Sequence, residues 1–393
     1  MFVLSNFAVY KKDKMHILII SRSYPNRINR SSGNFVLNQV EALAKKGIQI
    51  GALGVYNISI RDFIKPKNIA KLGFYKILKT NIVKYSFLYP VIPKLHYINH
   101  LIKYHIWKRL FVKYIKENGK PDLIHLHTFE PGRIAIWAQE KYGIPYVVTE
   151  HTSDFYTNTH QKWHLPLATQ VYSKSAFNIG VSDASCDFLA QRFDQKFHLI
   201  PNLVDTSQFK LKPSIKKDYV QFINIAYLAK IKRQDLLIKA FHKAFNNDNK
   251  YRLKIIGNGS KYDELKKLIH DLGNKNIELL GYRSQFEIIK ELHQSDYFAF
   301  SSEYETFGVV LIEAMSCGLP VISTSCGGPN SIVVNNKLGL LSKVNDLEAY
   351  SNAMKKLVTL QFDSNYIREY AVSNYSNEAI ADKLIHLYKG IIK

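Results

Sequence analysis

The stretch YETFGVVLIEAMSCGLPVIST, residues 304–324, places two acids, Glu305 and Glu313, eight residues apart around Phe307 and Gly308. The apolar run FAF just before it reads as a strand that ends in Ser301-Ser302. VVLIEAMS has helical spacing, and Cys317-Gly318-Leu319-Pro320 stops it. A strand, a glycine turn and a helix in succession are the repeating unit of an α/β protein. Glycine lets backbone approach a ligand closely. The first N–H groups of the helix, at Phe307, Gly308 and Val309, can face a phosphate or a sugar hydroxyl. Glu305 stands before this helix mouth, and Glu313 lies about one and a half turns inside it. The pair either grips hydroxyls on two parts of one ligand, or caps the helix and forms a surface ion pair. Spacing alone leaves both readings open.

The same alternation extends in both directions. In the first half, strands are expected at 16–20, 48–53, 123–126, 146–149, 177–181 and 198–200, with helices at 35–46, 132–142 and 184–193. In the second half, strands are expected at 220–226, 252–256, 277–280, 297–300, 321–323 and 339–341. Helices are expected there at 235–245, 262–272, 285–294, 309–316 and 347–357. The segment 377–391 is amphipathic. Parallel sheets follow from this order. A chain of 393 residues is too long for one ordinary core, so two domains of about 150–200 residues are expected. The turn-rich, basic stretch 203–218 reads as the linker. The division is an N-terminal extension at 1–14, a first Rossmann-like domain at 15–205, a second at 206–376, and a C-terminal helix at 377–393 crossing back to the first.

The net charge is +22. Nucleic acid, an anionic membrane and anionic substrates are its three readings. No zinc finger or RNP-like signature supports nucleic acid. The charge is uneven: residues 61–118 hold 13 Lys and Arg against two acids, among many aromatic and aliphatic residues. HYINHLIKYHIWKRLFVKYIK, 96–116, mixes basic and apolar positions at helical spacing. That suits either a helix in a membrane interface or a solvated basic helix on a core. Three cysteines without zinc spacing suggest a reducing compartment. No apolar run approaches the roughly 18–20 residues of a membrane span. The opening MFVLSNFAV lacks a basic leader and a small-residue cleavage site, so no signal peptide is expected. No GxGxxG, P-loop, HExxH, GxSxG, CxxC or Asp-x-Asp is present. Without a carboxylate pair for a metal, a bound diphosphate must rely on basic side chains and helix N-termini.

Glu305-TFGVVLI-Glu313 followed by AMSCGLPVI resembles the E-x7-E signature of the GT4 family of retaining glycosyltransferases, which have the GT-B fold. SYPNRINRSSGNFVLNQVEALAKKG, DLIHLHTFEPG, VVTEHTSDF, LIPNLVD, LAKIKRQDLLIKAF and LKIIGNGSKYDELKKL resemble family landmarks in the right order. The resemblance covers roughly residues 15–390. It implies two facing Rossmann-like domains, the first for the acceptor and the second for a nucleotide-sugar donor, UDP- or GDP-linked, without metal or other cofactor.

By that resemblance Glu313 holds the ribose hydroxyls and Glu305 the hydroxyls of the transferred sugar. Phe307, Gly308 and Val309 meet the sugar and diphosphate, and Lys232 is the diphosphate lysine. Gly33 approaches the diphosphate from the first domain. His127, with His125 deeper on the same strand face, stands near the anomeric carbon. Glu150, His151 and Asp154 line an acceptor-side loop, and Tyr282 and Arg283, after Gly281, match the loop that lies against the nucleobase. Tyr227 stands where the family has an arginine, which puts the second phosphate cation in doubt and brings in Arg233 or Lys230 as substitutes. The implied activity is transfer of a hexose-type sugar to a lipid-linked glycan in bacterial O-antigen, capsule or lipopolysaccharide assembly. The implied place is cytoplasmic, peripheral on the inner face of an anionic membrane. An inactive binding partner of a glycan-assembly complex and a GT-B sugar-nucleotide epimerase are the rival readings.

Overall fold

The computed structural model describes residues 14–26, 33–59, 72–79, 81–157 and 159–392. The expected extension at 1–14 therefore lies outside the described residues except for Lys14, as do 60–71 and 80 of the basic region. The chain groups into two compact units. One holds the described residues up to Glu150 together with 160–178 and 385–392. The other holds 151–159 and 179–384. Expectation had put the division at 205/206.

The first half runs β1 (His16–Ser21), α1 (Asn34–Lys45), β2 (Gln49–Ile58), β3 (Gly73–Lys79), β4 (Ile82–Pro90), α2 (His96–Asn118) and β5 (Leu123–His127). It continues α3 (Gly132–Tyr142), β6 (Tyr146–Glu150), α4 (His164–Lys174), β7 (Phe177–Gly180), α5 (Asp183–Phe193) and β8 (His198–Leu199). The strand order is β3-β4-β2-β1-β5-β6-β7-β8. Strand β1 pairs in parallel with β2 and β5, and β3 runs antiparallel against β4. The chain moves outward from β1 through β2 to β4, then returns to β5 on the other side of β1. This reversal opens a crevice at the carboxyl ends of β1 and β5.

The second sheet is built from β9 (Val220–Ile225), β10 (Tyr251–Ile256), β11 (Ile277–Gly281), β12 (Tyr297–Phe300), β13 (Val321–Thr324) and β14 (Gly339–Ser342). Its order is β11-β10-β9-β12-β13-β14, and the pairings are parallel. Its helices are α6 (Gln234–Phe245), α7 (Tyr262–Asp271), α8 (Gln285–His293), α9 (Val309–Ser316), α10 (Gly328–Ile332), α11 (Leu347–Leu357) and α12 (Ser364–Tyr375); the last helix, α13 (Asn377–Ile391), ends among the residues that group with the first unit. Strand β12 sends Phe298 and Phe300 into one buried cluster and Ala299 into another, so helices cover both faces. The stretch expected as a linker is pinned: Lys212 and Lys217 reach Asp296 at 3.4 and 2.6 Å, and that carboxylate also accepts from Gln221 N at 2.8 Å.

All the strands and helices expected from the sequence are present. The hairpin β3–β4 and helices α4, α10 and α12 were not anticipated. Strand β4 hides its period because Lys84 occupies a buried position. The ammonium donates to Pro25 O at 2.6 Å and lies 3.7 Å from the Tyr24 ring centre, and burial lowers its pKa to about 7. Helix α4 carries Pro166 in its first turn, where proline is tolerated. Helix α12 is rich in Ser and Asn and starts from an Asp363 cap that accepts from Asn365 N at 2.8 Å.

Phe298 is fully buried at the middle of the second sheet. Phe298→Ala is expected to lower stability by about 3–5 kcal/mol, read as a fall in the denaturant midpoint.

Candidate functional site

In the second unit the chain runs β9 to β11 in one direction and then returns to β12 beside β9, so the loops after β9 and β12 leave the sheet side by side. The loop after β9 ends in a 3-10 turn, Lys230–Lys232. Lys232 Nζ donates to Glu305 Oε2 at 2.6 Å. Ser301 Oγ donates to Lys232 O at 2.9 Å, and Glu303 N donates to Ile231 O at 2.8 Å. The two loops are thus stitched together by backbone as well as by charge. A third loop braces them: Glu305 N donates to Cys326 O at 3.0 Å and Gly328 N to Glu305 O at 2.8 Å. A Cβ on Gly328 would come within 2.4 Å of the Phe307 backbone, which leaves no room for any other residue. Gly308 caps α9 at φ +105°, a conformation that favours glycine. Phe307 is buried beneath it, with its ring 5.8 Å from that of Tyr375.

Both local readings of the acid pair can now be judged. Glu305 is the partner of Lys232, and its other oxygen lies 3.4 Å from Phe307 N, a weak cap. Glu313, half-buried on α9, has no hydrogen-bond or ion-pair partner among the described residues, so it forms no surface ion pair. Burial pushes its carboxyl up to about 7. Such a group is costly to keep unless something outside the chain completes it.

The other second-unit residues are placed differently. The Arg233 guanidinium is held by Asp235 at 3.1 Å and by Asn345, and its backbone, at φ 49°, caps α6. Both contacts engage it in local structure. Lys230 is exposed. Tyr227 and Tyr282 stand out from the surface at 65% and 75% exposure, and Arg283 donates to Tyr282 O at 3.1 Å. His151 and Asp154 belong to the short 151–159 segment that groups with this unit. The sequence reading missed the role of Tyr156 in that segment. Its ring stacks on Phe188 at 3.8 Å and meets Tyr304, next to Glu305, at 4.5 Å. It also missed Ser182 Oγ, which donates to Thr306 O at 2.8 Å and anchors α5 to the Glu305 loop. Only the excess of aromatics near both segments hinted at this.

In the first unit His127 ends β5, buried, with its ring stacked on His125 at 4.7 Å. Gln39 Nε2 lies 3.3 Å from His127 and 3.4 Å from His125. His125 is also held by Tyr388 OH at 2.6 Å and Thr149 Oγ1 at 2.7 Å. Burial lowers the His127 pKa to about 3, so the ring is neutral near pH 7. Thr128 follows at φ 72°, with a buried hydroxyl that has no partner among the described residues. A strained β-branched residue with an orphaned hydroxyl at a strand end is a functional-site signature that sequence alone does not reveal. Glu150 proves internal: its carboxylate accepts from Phe129 N at 3.0 Å and Tyr172 OH at 2.6 Å, bracing the loop after β5. Gly33, at φ +68°, caps α1, and a Cβ there would lie 2.2 Å from Ser23 O. Its glycine is thus required by the chain's own backbone. Among the described residues no cluster of three His, Cys, Asp or Glu side chains is placed to hold a metal ion.

A carboxyl whose folded pKa lies above its unfolded value adds stability that is complete below the unfolded value and is lost as pH rises through the folded one. The ligand-free protein is therefore expected to lose stability relative to Glu313→Gln between pH about 4.5 and about 7. Denaturant midpoints of both proteins across that range check this, and parallel curves would refute a Glu313 carboxyl raised by its half-buried, unpaired position.

Residues 32–208 match the family model described as Glycosyltransferase Family 4, and residues 205–387 the model described as Glycosyl transferases group 1. An uncharacterised glycosyltransferase of Methanocaldococcus jannaschii is 26% identical over 264 residues, covering 65% of this chain and 70% of that protein. The D-inositol 3-phosphate glycosyltransferase of Stackebrandtia nassauensis is 25% identical, covering 61% of each. The N-acetyl-alpha-D-glucosaminyl L-malate synthase of Bacillus anthracis is 26% identical, covering 48% of this chain and 49% of that protein. Sucrose-phosphate synthase from Thermosynechococcus elongatus superposes with a TM-score of 0.75 at 17% identity, over 96% of this chain and 99% of that one. Anabaena HepE in complex with UDP superposes with a TM-score of 0.71 at 20% identity, over 96% of this chain and all of that one. The two models together run from residue 32 to 387 and the structures share the fold, so the chain is a glycosyltransferase of the GT4 type with the GT-B fold.

Proposed function

We propose that the chain moves a hexose-type sugar from a nucleotide-diphosphate donor to a glycan acceptor with retention of configuration. The observation that carries this is the half-buried Glu313 carboxylate without a partner, one turn and more inside a helix whose mouth holds the Lys232–Glu305 pair. A carboxylate in that state suits two ribose hydroxyls, which supply the donors it lacks. The α9 N-terminus and Lys232 stabilise the charge that grows on the leaving diphosphate, and no metal is called for. Glu305 accepts from Lys232 and aligns it, while its second oxygen, only weakly engaged by Phe307 N at 3.4 Å, can also take a sugar hydroxyl. No carboxylate stands as a covalent nucleophile in this scheme. The acceptor hydroxyl attacks on the face the diphosphate leaves, and the leaving phosphate takes the proton.

The acceptor reading is a lipid-linked glycan of bacterial surface polysaccharide, met on the inner face of an anionic membrane. The outer side of α2 supports it. Lys108, Arg109, Lys113 and Lys116 line one groove there. Lys113 lies 5.4 Å from the ring centre of Phe74, which with Ile77 and Leu78 of β3 is exposed. Cations beside exposed apolar side chains suit a headgroup boundary. No helix among the described residues is long and apolar enough to cross a membrane.

UDP, GDP and ADP with their sugar conjugates, tested without metal, are expected to give a thermal shift for one base that Glu313→Gln abolishes. No shift with any nucleotide in folded protein would favour a binding partner without activity. Release of an epimerised nucleotide sugar without acceptor would favour an epimerase. Lys232→Met is expected to lower kcat about 10²–10³-fold while the fold persists, measured by donor turnover. Neutralising Lys108, Arg109, Lys113 and Lys116 together should release the protein from phosphatidylglycerol vesicles, and added salt should do the same to the parent protein. Unchanged sedimentation in both cases would remove this face as the docking surface.

A further inference from the structure

Lys84 is a buried lysine that the donor reading does not use. It lies on β4 at 3% exposure, in register with Ala52 of β2 and Ile77 of β3. Among the described residues no carboxylate pairs with it, and burial is what lowers its pKa. An amine withdrawn from water without a counter-charge is unfavourable, and a methionine would fill the same space without that cost. What the amine holds accounts for its presence.

Its contacts come from two segments. Nζ donates to Pro25 O at 2.6 Å and lies 3.7 Å from the ring centre of Tyr24 and 5.6 Å from that of Tyr56 on β2. The Tyr56 ring folds back over Gly54, where a Cβ would lie 1.9 Å from its hydroxyl oxygen. A carbonyl and two aromatic faces around one amine make a cage that ties the Tyr24–Pro25 backbone to β2 and β4.

Tyr24 and Pro25 belong to the loop after β1, which leaves the sheet where the strand order reverses. Ser21, the last residue of β1, stands in register with His127. The Ser23–Tyr24 backbone presses on Gly33: a Cβ there would lie 2.2 Å from Ser23 O and 2.7 Å from Tyr24 N. Gly33 caps α1, and Gln39 of that helix reaches His127 at 3.3 Å. A shift at Tyr24 therefore moves the start of α1, and with it the group that holds His127.

Resting on the transferase reading above, we propose that Lys84 is a positioning residue for sugar transfer: it fixes the backbone of Tyr24 and Pro25, and through it the start of α1, in the place from which the first unit meets its substrate. Lys84 is buried beneath the loop and acts through it, not by contact with substrate. Its effect falls on kcat, because a misplaced loop costs rate even where the nucleotide is still gripped by the second unit.

Lys84→Met, Tyr24→Leu and Lys76→Gln in the full chain test this. Lys76 of β3 is exposed and pairs with Glu117 of α2, so it controls for loss of a lysine from the same hairpin. Hydrogen exchange is read by mass spectrometry without ligand, and turnover with whichever UDP-, GDP- or ADP-sugar the parent protein accepts. Lys84→Met is expected to speed exchange at residues 22–26 about tenfold and to leave β10 unchanged. It should lower kcat about tenfold and keep the donor KM within about twofold. Lys76→Gln should alter none of these. A lysine that serves stability alone would shift the denaturant midpoint and leave kcat of the folded variant as it was, and that result overturns the proposal. If Lys84→Met does not fold, a loss of about threefold in kcat of Tyr24→Leu supports the proposal, and unchanged kcat and exchange overturn it. Unchanged exchange at residues 22–26 in folded Lys84→Met overturns it whether or not the parent turns over a donor. Faster exchange there, in a parent background that turns over no sugar nucleotide, supports the hold of Lys84 on the loop and removes the transferase reading alone.

Discussion

The ion pair between Lys232 and Glu305 is the constraint on which the second unit's site depends. Both side chains are about four-fifths withdrawn from solvent, at 23% and 17% exposure. Removing either partner from such a pair costs more than the pair itself contributes, since the remaining charge stays desolvated. The pair therefore fixes a geometry more than it adds stability. It sits where strand order reverses, so two loops from neighbouring strands must meet. The Ser301 hydroxyl and the backbone of Glu303, Cys326 and Gly328 then lock those loops by hydrogen bonds. The mouth of α9 follows from this locking, because Phe307 is trapped between Gly328 and the core.

Glu313 gains its meaning from that rigidity. A carboxylate on a mobile loop would turn to solvent or find a lysine. On α9, anchored by Leu311, Ile312, Ala314 and Met315 in the core, it is held half-buried and unpaired. The first unit shows a different economy. His125 and His127 are satisfied by Gln39, Thr149 and Tyr388, whereas Thr128, His100 and Trp163 keep polar atoms without partners. Those residues lie near the carboxyl edge of the sheet, where open α/β sheets place their ligands.

Much of this was readable beforehand. Parallel strands appeared as short apolar runs because both faces of each sheet are covered, and the helices between them kept their 3.6-residue period. The opening motif, with Glu305, Phe307, Gly308 and Glu313, was visible because a glycine turn followed by a helix has a composition of its own. The hairpin β3–β4 was not visible, because Lys84 breaks its apolar pattern and is stabilised by a carbonyl and an aromatic ring far away in sequence. Glu150 looked like a cleft acid and is a brace, since its partners Phe129 N and Tyr172 OH come from other segments. Arg233 looked like a spare cation and is held by Asp235 and by Asn345, more than a hundred residues on.

The sequence by itself determined the α/β class, the order of most strands and helices, and the residue types at the α9 mouth. Those follow from local propensity, hydrophobic period and turn chemistry, which act over a few residues. Tertiary structure alone decided which charges are paired and which are left open. Lys232 finds Glu305 across 73 positions and Arg22 finds Glu130 across 108, while Glu313 finds no partner among the described residues. Pairing depends on where the strand order brings loops together and on how far each group is removed from water, and neither is encoded within any short stretch of chain.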